Sequence, residues 1–527
     1  MINWALSHTQ PYISRALVFS GVLAIGALGA AAPSSAEDAS AVAADTALYV
    51  QERAAQLAAQ PYVEPPVVSN NQLASTYDEY RKVRFNPERA RWRNSPSKFE
   101  VQLLPMGWLF KHPVKLWLVE AGERSQVTAT LDDFVDGRPA AEAPDPGVAV
   151  PLSGFRINWP LNEPTKPDEV IVFQGATYFR ALAAGQRYGL SMRALAIKTA
   201  SQSGEEFPEF REFWIEKPEP SADSIKIHAL LDSPSASGAF TFVVRPGAST
   251  TISVNASIYP RKDINEIGIA PLTSMFMIGP INRSRLSDYR PQVHDSDGLA
   301  ILNSWGERIW RPLANPRQLQ MSVFVDEGNR GYGLIQRERR FERYEDLEAR
   351  YDLRPSVWVE PLSNFGQGSV VLVEIPTELE IHDNIVAFWR PRVPLKAASR
   401  YDYSYRLHVQ NDTPTRSSGP YVHATRAGPS HFSQKANDKV LFVIDYKDGD
   451  KPLDKSEFTT RATASHGTIE NISVGSNSVT GGLRVSFEFD PGASNAADLR
   501  LDLRRNANEA APAPQNPEPW FYRWTRK

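Results

Sequence analysis

Short strand-like runs separated by turn residues fill the chain from Phe99 onward. Some alternate apolar and polar residues with a period of two, as residues 251–255 (TISVN) do, and others are nearly continuously apolar, as residues 240–244 (FTFVV) are. Alternation is typical of strands with one buried face, and an apolar run is typical of strands buried on both faces. Many short strands with frequent turns predict a mainly β protein built as a β-sandwich.

Four segments depart from this pattern. Residues 43–60 are rich in Ala and Gln and predict a helix, and residues 75–83 predict a second short helix that cannot continue past Pro87. Residues 339–351 are highly charged and predict a solvated surface helix. Residues 411–435 are polar and rich in Gly, Pro, Ser and Thr, so they predict a long loop of the kind that often covers a binding site.

A length of 527 residues predicts two domains, because one hydrophobic core rarely grows so large. The strand pattern breaks near residues 392–399, which divides the chain into an N-terminal domain of residues 37–395 and a C-terminal domain of residues 399–527. Strands of the second domain are expected at residues 401–407, 440–444 and 483–487. Its size suits an immunoglobulin-like sandwich, so the expected fold is mainly β, with a large β-sandwich followed by a small one.

Residues 1–36 have the pattern of a cleavable export signal. Arg15 is the one charged residue among them, an apolar run follows at residues 16–32, and Ser34-Ser35-Ala36 offers small residues for cleavage. No Arg-Arg pair precedes the run, which favours general secretion over twin-arginine export. A retained membrane anchor is the alternative. No second apolar run is long enough to span a bilayer, so no stable membrane span is expected after cleavage.

Composition and missing motifs exclude several classes of function. A net charge of −3 without a basic stripe argues against a nucleic-acid partner, and the absence of cysteine excludes thiol catalysis and thiolate metal sites. No P-loop, Gly-x-Ser-x-Gly or His-Glu-x-x-His motif is present. Asp295-Ser296-Asp297 begins like a calcium loop, but Leu299 and Ala300 stand where that loop needs a ligand and a glycine. No metal or cofactor is expected.

Three segments combine carboxylates with aromatic rings: residues 204–214 (GEEFPEFREFW), 294–298 (HDSDG) and 382–389 (HDNIVAFW). Glycoside hydrolysis needs one carboxylic acid to protonate the leaving oxygen and a second carboxylate to activate water or attack carbon. Flat rings beside such acids could stack on sugars. The combination favours a carbohydrate ligand, although the separation of the two acids cannot be read from sequence.

Each candidate residue also has a purely structural interpretation. Asp295 and Asp297 could accept backbone N–H groups in a tight turn, and Asp383 could do so at the entry to a strand. Glu206 could be an exposed hairpin charge, and His294 a buried hydrogen-bonding histidine. Tryptophans are more often core residues than sugar platforms. The residues by themselves therefore indicate only a secreted, carbohydrate-related β-sandwich protein.

Many ordered segments resemble the periplasmic glucan biosynthesis proteins G and D of Gram-negative bacteria, which serve osmoregulated periplasmic glucans. The resemblance is dense over residues 77–405 and weaker in the C-terminal portion. The segments that carry it are YDEYR (77–81), GATYFRAL (175–182), RYGLS (187–191), EEFP (205–208), LLDSP (230–234), GIAPLTSMF (268–276), VHDSDGL (293–299) and DNIVAFW (383–389).

The resemblance implies a large N-terminal sandwich similar to that of galactose mutarotases, joined to a small immunoglobulin-like domain. It also implies a periplasmic location and a linear β-1,2-glucan as substrate for an inverting endo-β-1,2-glucanase or a transglycosylase. Two other functions stay open: a non-catalytic glucan-binding scaffold that assists a membrane glucan synthase, and a secreted adhesion or assembly module.

On the pattern of this family, Asp383 is expected to be the general acid and Asp295 the base that receives its proton through a relay. An acid that works near neutral pH needs a raised pKa, which burial or a like-charged neighbour supplies, and Trp389 is expected to add an apolar wall. Residues 411–435 would close over the glucan, in a monomer or in a homodimer. The residues expected to contact substrate are Tyr178, Arg180, Glu206, His294, Asp297 and Trp389.

Overall fold

The computed structural model describes residues 35–67, 76–135, 147–283, 286–412, 419–430, 438–506 and 516–526. Residues 1–34, which contain most of the predicted export signal, lie outside the described residues, as do residues 413–418 and 431–435 of the predicted loop. Within the described ranges, no helix is both long enough and apolar enough to cross a membrane.

Strands dominate the described chain, and two α-helices precede them. The helices are α1 (Ser35–Ala58) and α2 (Tyr77–Tyr80). The strands of the first half are β1 (Arg84–Phe85), β2 (Glu100–Pro105), β3 (Lys115–Glu120), β4 (Glu123–Gln126), β5 (Phe134–Val135), β6 (Leu152–Glu163), β7 (Lys166–Gln174), β8 (Tyr178–Ala181), β9 (Ser191–Arg193), β10 (Leu195–Ile197), β11 (Glu209–Glu216), β12 (Ile225–Asp232), β13 (Ala236–Arg245), β14 (Thr250–Pro260), β15 (Ile267–Ser274) and β16 (Phe276–Ile278).

The second half continues with strands and short 3₁₀ turns. Its strands are β17 (Val293–His294), β18 (Gly298–Leu302), β19 (Arg308–Pro312), β20 (Gln320–Asp326), β21 (Gly331–Ile335), β22 (Ser356–Pro361), β23 (Gly368–Glu374), β24 (Ile385–Pro391), β25 (Tyr401–Gln410), β26 (Tyr421–Pro429), β27 (Val440–Lys447), β28 (Phe458–Ala464), β29 (Thr468–Asn477), β30 (Gly482–Asp490), β31 (Ala496–Arg505) and β32 (Trp520–Thr525).

Two large sheets form a sandwich around the main core, as the strand pattern predicts. The first has ten strands in the order β2-β6-β7-β8-β9-β15-β24-β23-β20, with β10 also paired to β15. The second has fourteen, in the order β28-β31-β32-β19-β18-β21-β22-β25-β14-β13-β12-β11-β3-β4. Alternate residues of β25, including Tyr403, Tyr405 and Leu407, point into the core between the sheets. The mainly β sandwich is therefore confirmed.

Strand β24 is buried on both faces. Ile385, Ala387 and Trp389 belong to the main core between the sheets. Val386 and Phe388 face the other way and pack in a smaller cluster on the outer side of the ten-stranded sheet. Because side chains alternate across a strand, Trp389 points to the same face as Ile385, which is the interior of the sandwich.

Helix α1 confirms the helix predicted at residues 43–60, and it packs on the outer face of the fourteen-stranded sheet. Val50 and Ala54 bury against Trp214 and its neighbours on that face. Arg53, on the same helix, pairs with Glu212 at 2.7 Å. The helix thus covers apolar surface that the sheet would otherwise expose to water.

The strand expected at residues 401–407 is present, and it belongs to the fourteen-stranded sheet. Strand β25 pairs with β14 on one side and β22 on the other, in the interior of the fourteen-stranded sheet. Beyond it, β26-β27-β30-β29 form a four-stranded sheet whose core residues pack with those of β31 and β32. The immunoglobulin-like classification and the two-domain division stay predictions.

Two other expectations need correction. Residues 339–351 form no α-helix but the short 3₁₀ turns Phe341–Arg343 and Tyr351–Leu353, because Glu345 and Arg350 adopt left-handed backbone angles that end a right-handed helix. Residues 411–435 are not one long loop, since strand β26 occupies their middle and pairs with β27.

Replacing Trp389 by alanine should test its place in the core. The side chain is 0% exposed, so the cavity left behind should cost about 3–5 kcal/mol of unfolding free energy. Trp305→Ala is the matched control, because Trp305 is 71% exposed and its loss should change stability by less than about 0.5 kcal/mol. Urea-induced unfolding measures both variants, and equal small effects would contradict the assignment.

Candidate active site

One face of the ten-stranded sheet presents Tyr178 and Arg180, two of the predicted site residues. Tyr178 and Arg180 lie two residues apart on β8 and therefore point to the same face. The side chain of Arg180 donates from Nε to Ser191 Oγ on β9 at 2.7 Å. Ser191 pairs with Thr273 on β15, and Thr273 pairs with Val386 on β24, three positions after Asp383. The sheet register thus brings Arg180 toward Asp383.

The main chain of Met275 and Phe276 joins the two segments that hold the predicted catalytic aspartates. The amide N–H of Asp295 donates to the carbonyl oxygen of Met275 at 2.9 Å. Asn384, next to Asp383, accepts from the N–H of Phe276 at 2.8 Å and donates to its carbonyl oxygen at 3.0 Å. Two segments 88 positions apart in sequence are therefore fixed to the same short stretch of backbone.

Both aspartates are buried, and three of their four carboxylate oxygens accept no hydrogen bond from the described residues. Asp295 is 0% exposed and Asp383 2% exposed. Neither oxygen of Asp295 accepts a hydrogen bond from this part of the chain, and neither does Oδ1 of Asp383. Guanidinium groups approach without close contact: Arg354 Nε lies 3.6 Å from Asp295 Oδ1, and Arg180 Nη2 lies 3.7 Å from Asp383 Oδ2.

This environment raises the pKa of both carboxyl groups. For Asp383, burial raises the pKa to about 6, with the guanidinium of Arg180 opposing the shift and the charge of Asp295 adding to it. Burial also raises the pKa of Asp295, against the guanidiniums of Arg354 and Arg180. The charge of Asp295 contributes to the shift at Asp383, so the two carboxyls are close enough to interact. Such a pair can donate and accept protons near neutral pH.

Tyr178 connects this pair to a second charged cluster. The guanidinium of Arg193 lies 5.0 Å from the ring centre of Tyr178 and 5.2 Å from that of Phe207. The guanidinium of Arg193 is buried, and it donates to a carboxylate oxygen of Glu205 at 2.8 Å. This ion pair neutralises a charge that would otherwise be buried without a partner. Burial raises the pKa of Tyr178, and the charges of Asp383 and Glu205 both add to that shift.

His294 is a buried histidine within a hydrogen-bond network. The side-chain N–H₂ of Gln336 donates to the carbonyl oxygens of His294 and Tyr351, so its Oε1 is left to accept from Nδ1–H of the imidazole. The other ring nitrogen lies 2.9 Å from Gln292 Oε1 and 3.5 Å from Asp297 Oδ1. Burial lowers the pKa of His294, which favours the neutral ring.

Asp297 stabilises the turn that follows Asp295 by accepting backbone hydrogen bonds. Its Oδ2 accepts from the backbone N–H groups of Arg337 at 2.5 Å and Glu338 at 2.7 Å. The guanidinium of Arg337 in turn donates to both carboxylate oxygens of Glu518, each at 2.8 Å, and lies 3.5 Å from the ring centre of Trp310. Asp297 therefore has the structural role that a turn carboxylate has, and it links the site to the C-terminal portion of the chain.

Two predicted contact residues lie elsewhere. Trp389 packs in the main core against Gly368, where an added Cβ would lie 2.6 Å from the indole ring, so it offers no face to a sugar. Glu206 accepts from the N–H of Ser235 at 2.9 Å and from its hydroxyl at 2.5 Å, which fixes the turn between β12 and β13. Trp389 is therefore no sugar platform in this structure, and substrate contact by Glu206 stays a prediction.

Sequence reasoning missed Arg354 and Arg193. Arg354 follows the stretch predicted as a surface helix, which gave no reason to place it beside Asp295. Arg193 lies on β9, opposite Tyr178, and its position emerges only from strand pairing. An arginine inside a strand of otherwise buried residues was the one available signal for Arg193, since an unpaired buried charge is strongly disfavoured.

Within the described ranges, no group of three or more His, Asp and Glu side chains has the geometry to hold a metal ion. The chemical groups that the site does present are two carboxyls with raised pKa, two guanidiniums near them and a tyrosine ring.

The chain is similar to proteins of one curated family. A family profile described as "Periplasmic glucan biosynthesis protein, MdoG" matches residues 46–524. Glucans biosynthesis protein G from Rhodopseudomonas palustris is 46% identical over 516 residues, which cover 97% of this chain and 100% of that protein. The protein of that name from Vibrio cholerae serotype O1 is 47% identical over 474 residues, covering 90% of this chain and 85% of its own length.

Solved structures share much less sequence. A galactose mutarotase related enzyme from Lactobacillus acidophilus is 9% identical, covers 50% of this chain and 92% of its own, and aligns with a TM-score of 0.21. At that TM-score the likeness carries no argument, and the description of the fold depends on the strands and their pairing.

The coupling between the aspartates predicts opposite pKa changes in two variants. Asp295→Asn removes a negative charge that raises the pKa of Asp383, so that pKa should fall. Arg180→Met removes a positive charge that lowers it, so the pKa should rise. Carbon-13 NMR titration of protein labelled at aspartate Cγ measures both, with Asp383→Asn identifying the resonance. Shifts in the same direction would contradict the shared environment.

Proposed function

This chain belongs to the periplasmic glucan biosynthesis protein family MdoG, and on that premise we propose that it is a periplasmic, endo-acting enzyme that processes linear β-1,2-glucan. The proposed reaction is inverting hydrolysis or transglycosylation, with Asp383 as general acid and Asp295 as base. The proposed route of export is a cleaved signal at residues 1–36 and the general secretion pathway.

The observation that supports this chemistry best is that two buried, interacting carboxyls belong to segments held by the same short stretch of main chain, Met275 and Phe276. A general acid must hold a proton near the working pH, and a pKa of about 6 places Asp383 within reach of neutrality. Burial and Asp295 both raise that pKa, whereas a surface aspartate would be ionised throughout this range. The environment thus suits a carboxyl that gives up its proton during the reaction.

In the proposed mechanism, Asp383 donates its proton to the glycosidic oxygen as the bond to the anomeric carbon breaks. A water or a sugar hydroxyl attacks from the opposite face, and its proton passes to Asp295, directly or through a relay. Arg180 influences both carboxyls and stabilises the carboxylate that forms on Asp383. Attack by water gives hydrolysis, and attack by a sugar hydroxyl gives transfer.

The burial of both carboxyls also adds a requirement. Both side chains are covered in this structure, at 0% and 2% exposed, so the proposed reaction requires a conformation in which the site is open to the glucan. Closing the site afterwards would exclude water and strengthen the interactions with the developing charges.

The same burial favours a second candidate function, a non-catalytic β-1,2-glucan-binding scaffold that assists a membrane glucan synthase. In that case the two aspartates would have a structural role, and the outer surface of the site would bind the chain without cleaving it. Trp389, fixed in the core, supports neither function as a sugar platform.

Product analysis on linear β-1,2-glucan tests the proposal. The protein should release shorter or cyclic products, and the anomer released first, followed by proton NMR, should be the inverted α form. Asp383→Asn should abolish product formation while the fold survives. Asp223→Asn is the control, since Asp223 is an exposed surface residue paired with Arg245. Glucan binding without any product would favour the scaffold, and full activity of Asp383→Asn would reject Asp383 as the acid.

The pH dependence provides a separate test. Because Asp383 must be protonated to act, kcat/KM for linear β-1,2-glucan should fall as the pH rises through about 6. In the Asp295→Asn variant the pKa of Asp383 should be lower. The residual kcat/KM of that variant should therefore begin to fall at a lower pH than that of the unmodified protein. Initial rates between pH 4 and 9 measure both profiles. A kcat/KM that still rises between pH 6 and 8 would contradict the role of Asp383.

A further inference from the structure

A cavity of about 210 Å³ lies next to the candidate active site, and Tyr178 belongs to both. Its floor consists of the core side chains Phe173, Phe210 and Phe213, and Phe110 lines one wall. The cavity is large enough for one small polar ring.

A hydrogen-bonded imidazole and carboxylate lie at the polar side of this cavity. His112 Nδ1 is 2.7 Å from Glu209 Oε1, and Arg211 donates to the other oxygen of Glu209 at 2.8 Å. The side chains of His112 and Glu209 are each about a quarter exposed, so they are fixed by their partners and still reachable. Together they supply one donor or acceptor ring nitrogen and further lone pairs of a carboxylate.

The ring of Tyr178 forms the boundary between the cavity and the aspartate pair. One side of the ring is occupied by the guanidinium of Arg193, which is itself buried and paired with Glu205. The ring is therefore held in place while it still lines the cavity. An aromatic ring combined with a few convergent polar groups is the usual composition of a site for a small polar ligand with an apolar face.

We infer that this cavity is a subsite for one glucosyl residue of a β-1,2-glucan, remote from the bond that is broken, an inference that rests on the proposed function. A pyranose ring has an apolar face for Tyr178 and hydroxyl groups for His112 and Glu209. The chain would run from Asp383 across Tyr178 into the cavity, so the subsite adds affinity for oligomers long enough to reach it. An endo-acting protein needs such remote contacts to hold a long chain in register.

Calorimetric binding to a length series tests the subsite. The full chain with Asp383→Asn serves as the parent, so that ligands are not consumed, and linear β-1,2-linked glucose oligomers of two to ten units are the probes. Adding His112→Ala or Glu209→Gln should weaken binding of the long oligomers by about tenfold or more and leave that of oligomers too short to span Tyr178 unchanged. His408→Ala is the matched control, because His408 forms a similar pair with Glu360 at 2.8 Å.

A third variant shows whether a loss of binding comes from the cavity itself or from misfolding of the other two variants. Leu109 is exposed at the rim of the cavity, so Leu109→Trp blocks the entrance without removing a buried partner, and it should give the same selective loss. Long oligomers that bind equally well to the parent and all three variants would overturn the subsite while leaving the proposed function intact. A parent that binds no oligomer of any length would overturn the proposed substrate and the subsite with it.

Discussion

Hydrogen bonds to the main chain of Met275 and Phe276 are the constraint on which the candidate site depends. They fix the segments of Asp295 and Asp383 through neutral groups, the amide of Asn384 and a backbone N–H. Two buried carboxylates repel each other when both are ionised, and side-chain charges alone would not keep them together. Because the backbone holds the segments in place, the charge of Asp295 adds to the rise that burial causes in the pKa of Asp383 instead of displacing the side chain.

The neighbouring guanidiniums are placed at a distance that leaves this effect intact. Arg180 and Arg354 lie 3.7 and 3.6 Å from the nearest oxygens of Asp383 and Asp295. A bidentate contact such as that between Arg337 and Glu518 would stabilise the ionised carboxylate and lower its pKa. The looser placement offsets part of the cost of burying charge, while the proton on Asp383 remains available near neutral pH.

Periodicity predicted the strands well and their partners poorly. The run at residues 401–407 was a strand, yet no local pattern shows that β25 pairs with β14 and β22, which are distant in sequence. The alternation from Ile385 contains the information that Trp389 points inward, whereas the closeness of Trp389 to Asp383 along the chain favours a place in the site. The convergence of the two aspartate segments came from the family resemblance, since only tertiary contacts produce it.

Arg337 connects the turn after Asp295 to the portion of the chain beyond β25. Its backbone N–H supports Asp297 in the turn after Asp295, while its guanidinium bonds to Glu518 and to the carbonyl oxygen of Val422, beyond β25. A chain truncated after Gln410 would lose both acceptors and leave a largely enclosed positive charge without compensation. The C-terminal portion therefore supports the half that carries the two aspartates, and expressing the sandwich without it would disturb the turn that follows Asp295.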